Sequence, residues 1–448
     1  MKQKGYETGV FDCGLESDGD KLKVKIKEFQ PDLIGVTSFS YCYQNVFELI
    51  GKIRKMTKTP LVIGGPHVSA VRKQILEDTK ADFAVKSEGE FTLLELLKEL
   101  PKGKTTYSKI LGLIWRKGKR IIENPDRPLI KDLDGLPFPD YDAFGIEKYP
   151  CFRIKALPIM TSRGCPYGCT YCSVKLSMGR GFRPRSPENV LSEIKYWYKK
   201  GWTNIDINDD CFTLVLERAE KICDLIIKNK MKIKFQLYNG IRVDRITPQL
   251  LRKLNKAGCT FIAYGCEAGN QKILDSIQKH ITLDQVKQAV TWTNKIGIKN
   301  AVNFIIGHPM ETYDQAKETL SFAESLPTNF VNFYNLVPYP GTDSFQWAKA
   351  HAHFLYPPDT FLRTVSYRDN SPIFETKEFT KEQRQDIMQK GFDLYERKIL
   401  KFRLGSTLGL IIYLLSRPKI MHKLIFDFAL TNKIGNAVYQ LFSAPSRN

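Results

Sequence analysis

The stretch Arg163-Gly164-Cys165-Pro166-Tyr167-Gly168-Cys169-Thr170-Tyr171-Cys172-Ser173 carries three thiols in a segment dense in glycine and proline, which favours a loop over a helix. The spacing is C-x3-C-x2-C, and the next cysteine, Cys211, lies beyond an expected helix and strand. Three ligands for one metal centre is therefore the natural count. Structural zinc sites want four ligands, usually as two C-x2-C pairs, whereas iron–sulfur clusters are held by several thiolates on one short loop. If three thiolates hold three irons of a cubane, the fourth iron stays open, and an open metal position is where a small molecule binds and reacts. The plainer alternative is a set of buried thiols or a zinc knuckle.

The chain has 448 residues, enough for two or three domains, and its 42% hydrophobic and 26% charged content is that of ordinary globular proteins. It has 10 cysteines and a polar start without a secretory signal, which argues for a reducing compartment and metal or redox chemistry over a disulfide framework. A cluster with an open iron also needs shelter from oxygen, so an anaerobic cytoplasm is the expected setting. The net charge of +20 and pI of about 9.3 invite nucleic acid or an anionic membrane surface. The basic residues are nevertheless spread along the chain and interleaved with apolar ones, as in Lys21-Leu22-Lys23-Val24-Lys25-Ile26-Lys27. Solvated faces are the better reading, and no nucleic-acid partner is expected. The longest apolar run near the C-terminus, residues 404–415, includes Gly405, Ser406 and Thr407. It is shorter than the roughly 20 residues of a membrane span, but suits a bilayer surface.

In the first part of the chain, apolar runs at 6–11, 33–38, 61–65 and 83–86 alternate with helical stretches such as 45–56. That is the rhythm of a parallel, doubly wound sheet, whose ligands bind beyond the carboxyl ends of the strands. Thr37-Ser38-Phe39-Ser40, Gly64-Gly65-Pro66-His67 and Ser87-Glu88-Gly89-Glu90 sit there. Glycines at strand ends would let a flat ligand approach the backbone. Leu136-Pro137-Phe138-Pro139-Asp140-Tyr141 then reads as a linker. Further on, strands expected at 157–160, 204–208, 232–237, 260–264, 299–306 and 330–337 alternate with helices such as 187–200 and 248–257. These units suit a partial barrel, open on one side, with chemistry at the strand C-termini. Beyond it, His351, His353, Tyr356, Asp359 and Arg363 cluster loosely, as a cap on a substrate cavity or as loop residues without a role. Residues 380–400 read as a charged helix capped by Thr380 before Glu382. The segment 402–442, with Lys419, His422, Lys423 and Lys433 among apolar residues, reads as a helical hairpin closing the core or as a membrane-surface or lipid contact.

The cysteine loop, with Tyr171 in its aromatic position, resembles the signature of the radical S-adenosylmethionine (SAM) enzymes. The resemblance implies that Cys165, Cys169 and Cys172 ligate a 4Fe-4S cluster whose open iron chelates SAM. One electron, from a reductase or a flavodoxin or ferredoxin donor, would then release a 5'-deoxyadenosyl radical. Carried over by position, Tyr171 belongs to the SAM site, and Asp209 or Asp210 meets the SAM amino group. Arg242 meets the carboxylate by a forked pair of hydrogen bonds, and Glu267 meets the ribose or the methionine moiety. Ala268 stands where the family has Ser. Gly307 and Pro309 would pack along adenine, with His308 and Met310 replacing an aromatic residue and a glycine. Surface salt bridges would use the same acids and arginine equally well.

The first segment resembles the cobalamin-binding domain that precedes the cluster domain in one branch of that family. By position, Ser38 lies beside the nucleotide tail, Gly64, Gly65, Pro66 and His67 form the glycine-pair loop, and Glu88, Gly89 and Glu90 form the acidic turn near the corrin. No Asp-x-His-x-x-Gly stretch occurs, so the usual corrinoid histidine is missing, and His67 reads as a loop histidine. The family also begins one strand and one helix earlier, so Met1 reads as an internal start or a truncated gene reading. Without that strand, the one around Val10 loses its neighbour, and cobalamin binding is expected to be weakened. The expected fold is α/β. An incomplete Rossmann-like, doubly wound cobalamin-binding-type domain at 1–130 is followed by a linker at 131–156, a partial (β/α)6 TIM-like radical SAM barrel at 157–345 and a mostly helical region at 346–448. The implied activity is cobalamin-dependent methyl transfer to an unactivated carbon of a small-molecule or lipid-like substrate. An anaerobic cyclase of the same architecture and a degenerate, non-catalytic binding partner are the alternatives. A methylthiotransferase acting on tRNA would need three more cluster cysteines, which Cys13 and Cys42 do not supply.

Overall fold

In the computed structural model the described residues are 1–14, 16, 19–102, 106–148, 156–358, 360–363 and 371–415. Asp359 lies outside them, as do Lys419, His422, Lys423 and Lys433 of the expected hairpin.

The first domain runs α1 (Gly19–Phe29), β1 (Ile34–Thr37), α2 (Tyr43–Met56), β2 (Leu61–Gly64), α3 (Pro66–Val71), α4 (Gln74–Asp78), β3 (Phe83–Val85), α5 (Glu90–Glu99), β4 (Leu113–Lys117) and β5 (Arg120–Glu123). Its sheet has the order β1-β2-β3-β4-β5. The runs Leu61-Val62-Ile63 and Phe83-Ala84-Val85 are buried throughout, as strands covered on both faces must be. The parallel strands expected at 33–38, 61–65 and 83–86 are β1, β2 and β3, and one expectation, the strand at 6–11, needs correcting. Only β1, β2 and β3 are parallel, while β4 and β5 form an antiparallel hairpin that turns at Gly118, whose φ is 63°. Residues 6–11 form no strand. Apolar alternation makes a strand only where a neighbour accepts its N–H and C=O groups, and no described strand pairs there. Gly9 lies instead against the Phe29 ring.

The second domain begins with β6 (Leu157–Ile159), β7 (Ser162–Arg163), α6 (Val174–Ser177), β8 (Arg183–Pro184), α7 (Pro187–Lys199), β9 (Asn204–Ile207) and α8 (Leu216–Lys228). It continues with β10 (Lys234–Ile241), α9 (Pro248–Ala257), β11 (Cys259–Glu267), α10 (Gln271–Ser276), α11 (Leu283–Ile296), β12 (Lys299–Ile306), α12 (Tyr313–Ser325) and β13 (Phe330–Asn335). The order β6-β9-β10-β11-β12-β13 is parallel throughout. This is the expected open barrel. Ser186, Thr247, Thr282 and Thr312 cap their helices by accepting a backbone N–H of the first turn. The main core fills the space between these strands and helices.

Beyond the barrel lie α13 (Asp343–His351), the short pair β14 (His353–Phe354) and β15 (Phe374–Glu375), α14 (Lys381–Leu404) and α15 (Ser406–Leu415). Thr380 caps α14 in a capping box closed by Gln383. A second core runs from Ile50 of α2 and Leu61 and Ile63 of β2 to Phe345, Phe361 and Phe374. The N-terminal sheet and the C-terminal region therefore share one apolar interior. No helix among the described residues is long and apolar enough to cross a membrane.

Candidate active site

The cysteine loop leaves the barrel after β6, and the β7–β8 pair closes its base. Gly164 at its root has φ 82°, and a Cβ there would lie 2.3 Å from the Gly181 carbonyl oxygen, so only glycine fits. Its N–H donates to the Asp210 carboxylate at 3.0 Å, tying the loop to the end of β9. From below, the Thr170 N–H donates to the Ile277 carbonyl at 3.1 Å. Cys165, Cys169 and Cys172 all line one cavity of about 460 Å³ at the carboxyl ends of the barrel strands, as barrel chemistry requires.

Among the described residues no group of three or more His, Cys, Asp or Glu side chains closes on a single ion. A cubane does not ask for that, because each thiolate takes a different iron at a different corner. Burial pushes the Cys172 thiol up to about 11 and raises Cys169 as well, and a bound cation favours the thiolate form. A hydrogen bond with Cys211 holds Cys165 down to about 7 and pushes Cys211 up. Three thiols on one cavity wall, Cys169 buried and Cys165 and Cys172 half-buried, with room beside them, fit a cluster with an open corner.

The other strand ends distribute differently from the expectation. Asp210 lines the cavity. Asp209 does not: its carboxylate accepts from the Thr161 backbone and hydroxyl and from the Ser162 hydroxyl, all within the protein. Arg242 is on the wall, stacked 3.6 Å over the Tyr167 ring and paired with Asp244 at 2.9 Å. Its Nη1 is buried and unpartnered, which is what an incoming carboxylate would satisfy. Glu267 is turned into the cavity by a register shift in β11 and holds a left-handed φ of 78°. Such a strained side-chain-bearing residue belongs to functional sites. Gly307 and Pro309 are not among the lining residues. Gly307 and His308 donate their N–H groups to the Glu311 carboxylate, at 2.6 and 3.0 Å, and the His308 ring lies 5.7 Å from that of Tyr171.

Lys279 escaped the sequence reading. It is buried on the cavity wall, 2.8 Å from Glu267 and 3.3 Å from the Tyr171 hydroxyl. Glu267 and the Cys169 sulfur hold its pKa above the ordinary lysine value despite the opposing effect of burial. Its neighbours Gln278 and His280 have φ 55° and 51°, so the short loop is bent to drive this cation inward. In the sequence nothing sets it apart from the chain's many surface lysines.

In the first domain, Ser38 and Gly65 pack on each other. Gly65 has φ 100°, and a Cβ there would meet the Ser38 carbonyl oxygen at 2.5 Å, so this glycine serves the contact between two strand-end loops. Gly64 has open space, with nothing closer than 4.0 Å to a would-be Cβ, and the Ser38 hydroxyl is buried without a partner. That pair fits a ligand over the strand ends, so the residues suit cobalamin. Pro66 opens α3, and His67 is buried against Tyr43, with its Nδ1 3.0 Å from the Ser40 hydroxyl, as a loop histidine. Glu88 and Glu90, with Gly89 between them, face Arg163 and Arg183 rather than an open crevice. Tyr41, unremarked in the sequence, is the described first-domain residue on the central cavity wall.

The radical SAM superfamily model matches residues 159–323, and the B12 binding domain model matches residues 1–97. An uncharacterised methyltransferase of Pyrococcus horikoshii is 30% identical over 436 residues, covering 95% of this chain and 88% of that protein. The anaerobic magnesium-protoporphyrin IX monomethyl ester cyclase of Cereibacter sphaeroides is 27% identical, covering 98% of this chain and 76% of the relative. Among solved structures, the cobalamin-dependent SAM radical enzyme OxsB with aqua-cobalamin and SAM bound superposes with a TM-score of 0.66 at 18% identity, covering 98% of this chain and 70% of that one. The radical SAM methyltransferase TsrM of Kitasatospora setae gives 0.65 at 20% identity, covering 78% and 71%. These two share the fold. With its cysteine loop, its open barrel and its N-terminal sheet in place, the chain belongs to the radical SAM enzymes that carry a B12-binding domain, and its cofactors are a 4Fe-4S cluster, SAM and cobalamin.

Proposed function

We propose that this enzyme transfers a methyl group to an unactivated carbon of a small-molecule or lipid-like substrate. The observation that carries the reading is one cavity shared by the three thiols, Arg242, the Glu267–Lys279 pair and Tyr41 of the B12-type domain. When bound, the cluster with SAM supplies a carbon radical, and cobalamin supplies a transferable methyl group. Cys165, Cys169 and Cys172 would hold the cluster. Lys279 and the unpartnered Nη1 of Arg242 suit the SAM carboxylate, and Asp210 and Glu267 suit its amino and hydroxyl groups. Ser38 and Gly64 would contact cobalamin. Tyr334, Leu336, Val337 and Phe361 line the part of the wall built by β13 and the segments after it, and they favour an apolar skeleton and keep water from the reacting centre.

The methyltransferase name of the Pyrococcus relative supports methyl transfer, and the cyclase of Cereibacter supports ring formation as the second reading. A flavodoxin- or ferredoxin-type electron donor, an anaerobic cytoplasm and a membrane-peripheral position belong to the same proposal. Exposed Leu410, Ile411 and Leu414 on α15 favour the last. The two readings separate without knowing the substrate. Anaerobic enzyme loaded with cobalamin, given reductant and methyl-labelled SAM, should produce both 5'-deoxyadenosine and S-adenosylhomocysteine, the latter marking methyl loss from SAM. Production of 5'-deoxyadenosine alone would favour ring formation.

A further inference from the structure

The carboxylates of the turn after β3 lie at the root of the cysteine loop, although they belong to the other domain. Ser87 turns the chain with φ 53° and donates its N–H to the Ser69 hydroxyl at 2.8 Å. Glu88 then reaches into the barrel. Its carboxylate accepts from Arg163 at 2.8 Å, from Arg183 at 2.7 Å and from the Ile130 N–H at 2.7 Å, with a side chain only 3% exposed. Glu90 accepts from the second arm of the Arg163 guanidinium at 2.8 Å. Arg163 therefore forks across two carboxylates of the first domain, and Cys165 follows it after one glycine. At the other end of the loop, α6, which begins after Cys172, packs against α3 of the first domain. There Leu176 and the Ala70 carbonyl both close on Gly341.

We propose that Glu88 and Glu90, through Arg163, form a positioning clamp by which the N-terminal domain fixes the cysteine loop and sets the electrostatic environment of its cluster. The proposal rests on the assignment of a cluster to Cys165, Cys169 and Cys172. Two arginines face two glutamates, and the Asp210 carboxylate at the Gly164 N–H stands beside them. An ion pair this deeply buried leaves an uncompensated charge when one partner is removed. Neutralising Glu88 would make the surroundings of the loop more positive by one charge. A reduced cluster is one charge more negative than an oxidised one, so that charge favours reduction. The N-terminal domain thus acts on the redox centre through named side chains, independently of any cofactor it carries.

The test is an anaerobic redox titration of the reconstituted full chain, followed by electron paramagnetic resonance, with iron and sulfide counted for each variant. Glu88→Gln should move the cluster midpoint to more positive potential, and Glu90→Gln should move it less in the same direction. The double variant Glu88→Gln with Arg163→Gln removes one charge of each sign and should return towards the parent value. Glu123→Gln, in the neighbouring network of Lys86 and Arg72, should leave the midpoint in place. If Glu88→Gln does not fold, the half-exposed Glu90 decides. Unmoved midpoints in the glutamate variants, or an equal shift in Glu123→Gln, overturn the clamp. A parent chain that takes up no cubane would instead overturn the cluster assignment, so the two failures are distinct.

Discussion

Lys279 shows how much a single side chain decides at this site. A buried ammonium is tolerated because Glu267 accepts from it at 2.8 Å and because the site is built for anions. Lys279→Met removes the cation and keeps the bulk, and SAM affinity of the cluster-loaded protein should fall about 10- to 100-fold, or about 1.4 to 2.8 kcal/mol. Equilibrium binding under anaerobic conditions measures it, and an unchanged Kd would remove Lys279 from the SAM site. Glu311 makes a different prediction. Burial raises its carboxyl to about 7 although Gly307, His308 and Arg384 oppose the shift. A carboxyl whose folded pKa is raised contributes stability that is fully present below its unfolded value and is lost as pH rises through 7. Glu311→Gln should therefore gain on the parent by about 2–3 kcal/mol between pH 4 and 8. Denaturant unfolding across that range checks the sign, and a gap that narrows with rising pH contradicts it.

At the scale of elements, the glycines at the strand ends separate two roles that look alike in sequence. Gly65 is held by the Ser38 backbone, so Gly65→Ala should cost about 2–3 kcal/mol in denaturant unfolding. A variant as stable as the parent would show that the two loops can part. The barrel was legible because apolar residues recur along its strands and several of its helices carry Ser, Thr or Pro at their starts; Pro248–Ala257 and Lys299–Ile306 fall where the pattern put them. The β4–β5 hairpin was not, since Lys117-Gly118-Lys119 lies inside a basic stretch that reads as surface. Residues 6–11 failed in the opposite way, because alternation specifies a face and cannot supply a partner strand. In the site, the three cysteines and Arg242 were readable from spacing and strand ends. Asp209 and Asp210 were not separable, because both lie just past the end of β9, where no strand alternation says which carboxylate turns inward. One is spent on Thr161 and Ser162 while the other faces the cavity.

Over the whole molecule, the second core binds the first sheet to the segments after the barrel, and the Glu88–Arg163 pair binds it to the cysteine loop. Parts that share an apolar interior unfold together. Calorimetry should therefore find one cooperative transition for the N-terminal sheet and the barrel, and two well-separated transitions would contradict that coupling. The same architecture places three thiols from one loop around a space that neither domain closes alone. Anaerobic reconstitution, with iron and sulfide counting and electron paramagnetic resonance, tests this most directly. The parent chain should bind about four irons and four sulfides in a reducible cubane and lose it when Cys165, Cys169 and Cys172 become Ala. Uptake of zinc without a cubane, or a cubane that survives the triple substitution, would contradict the account.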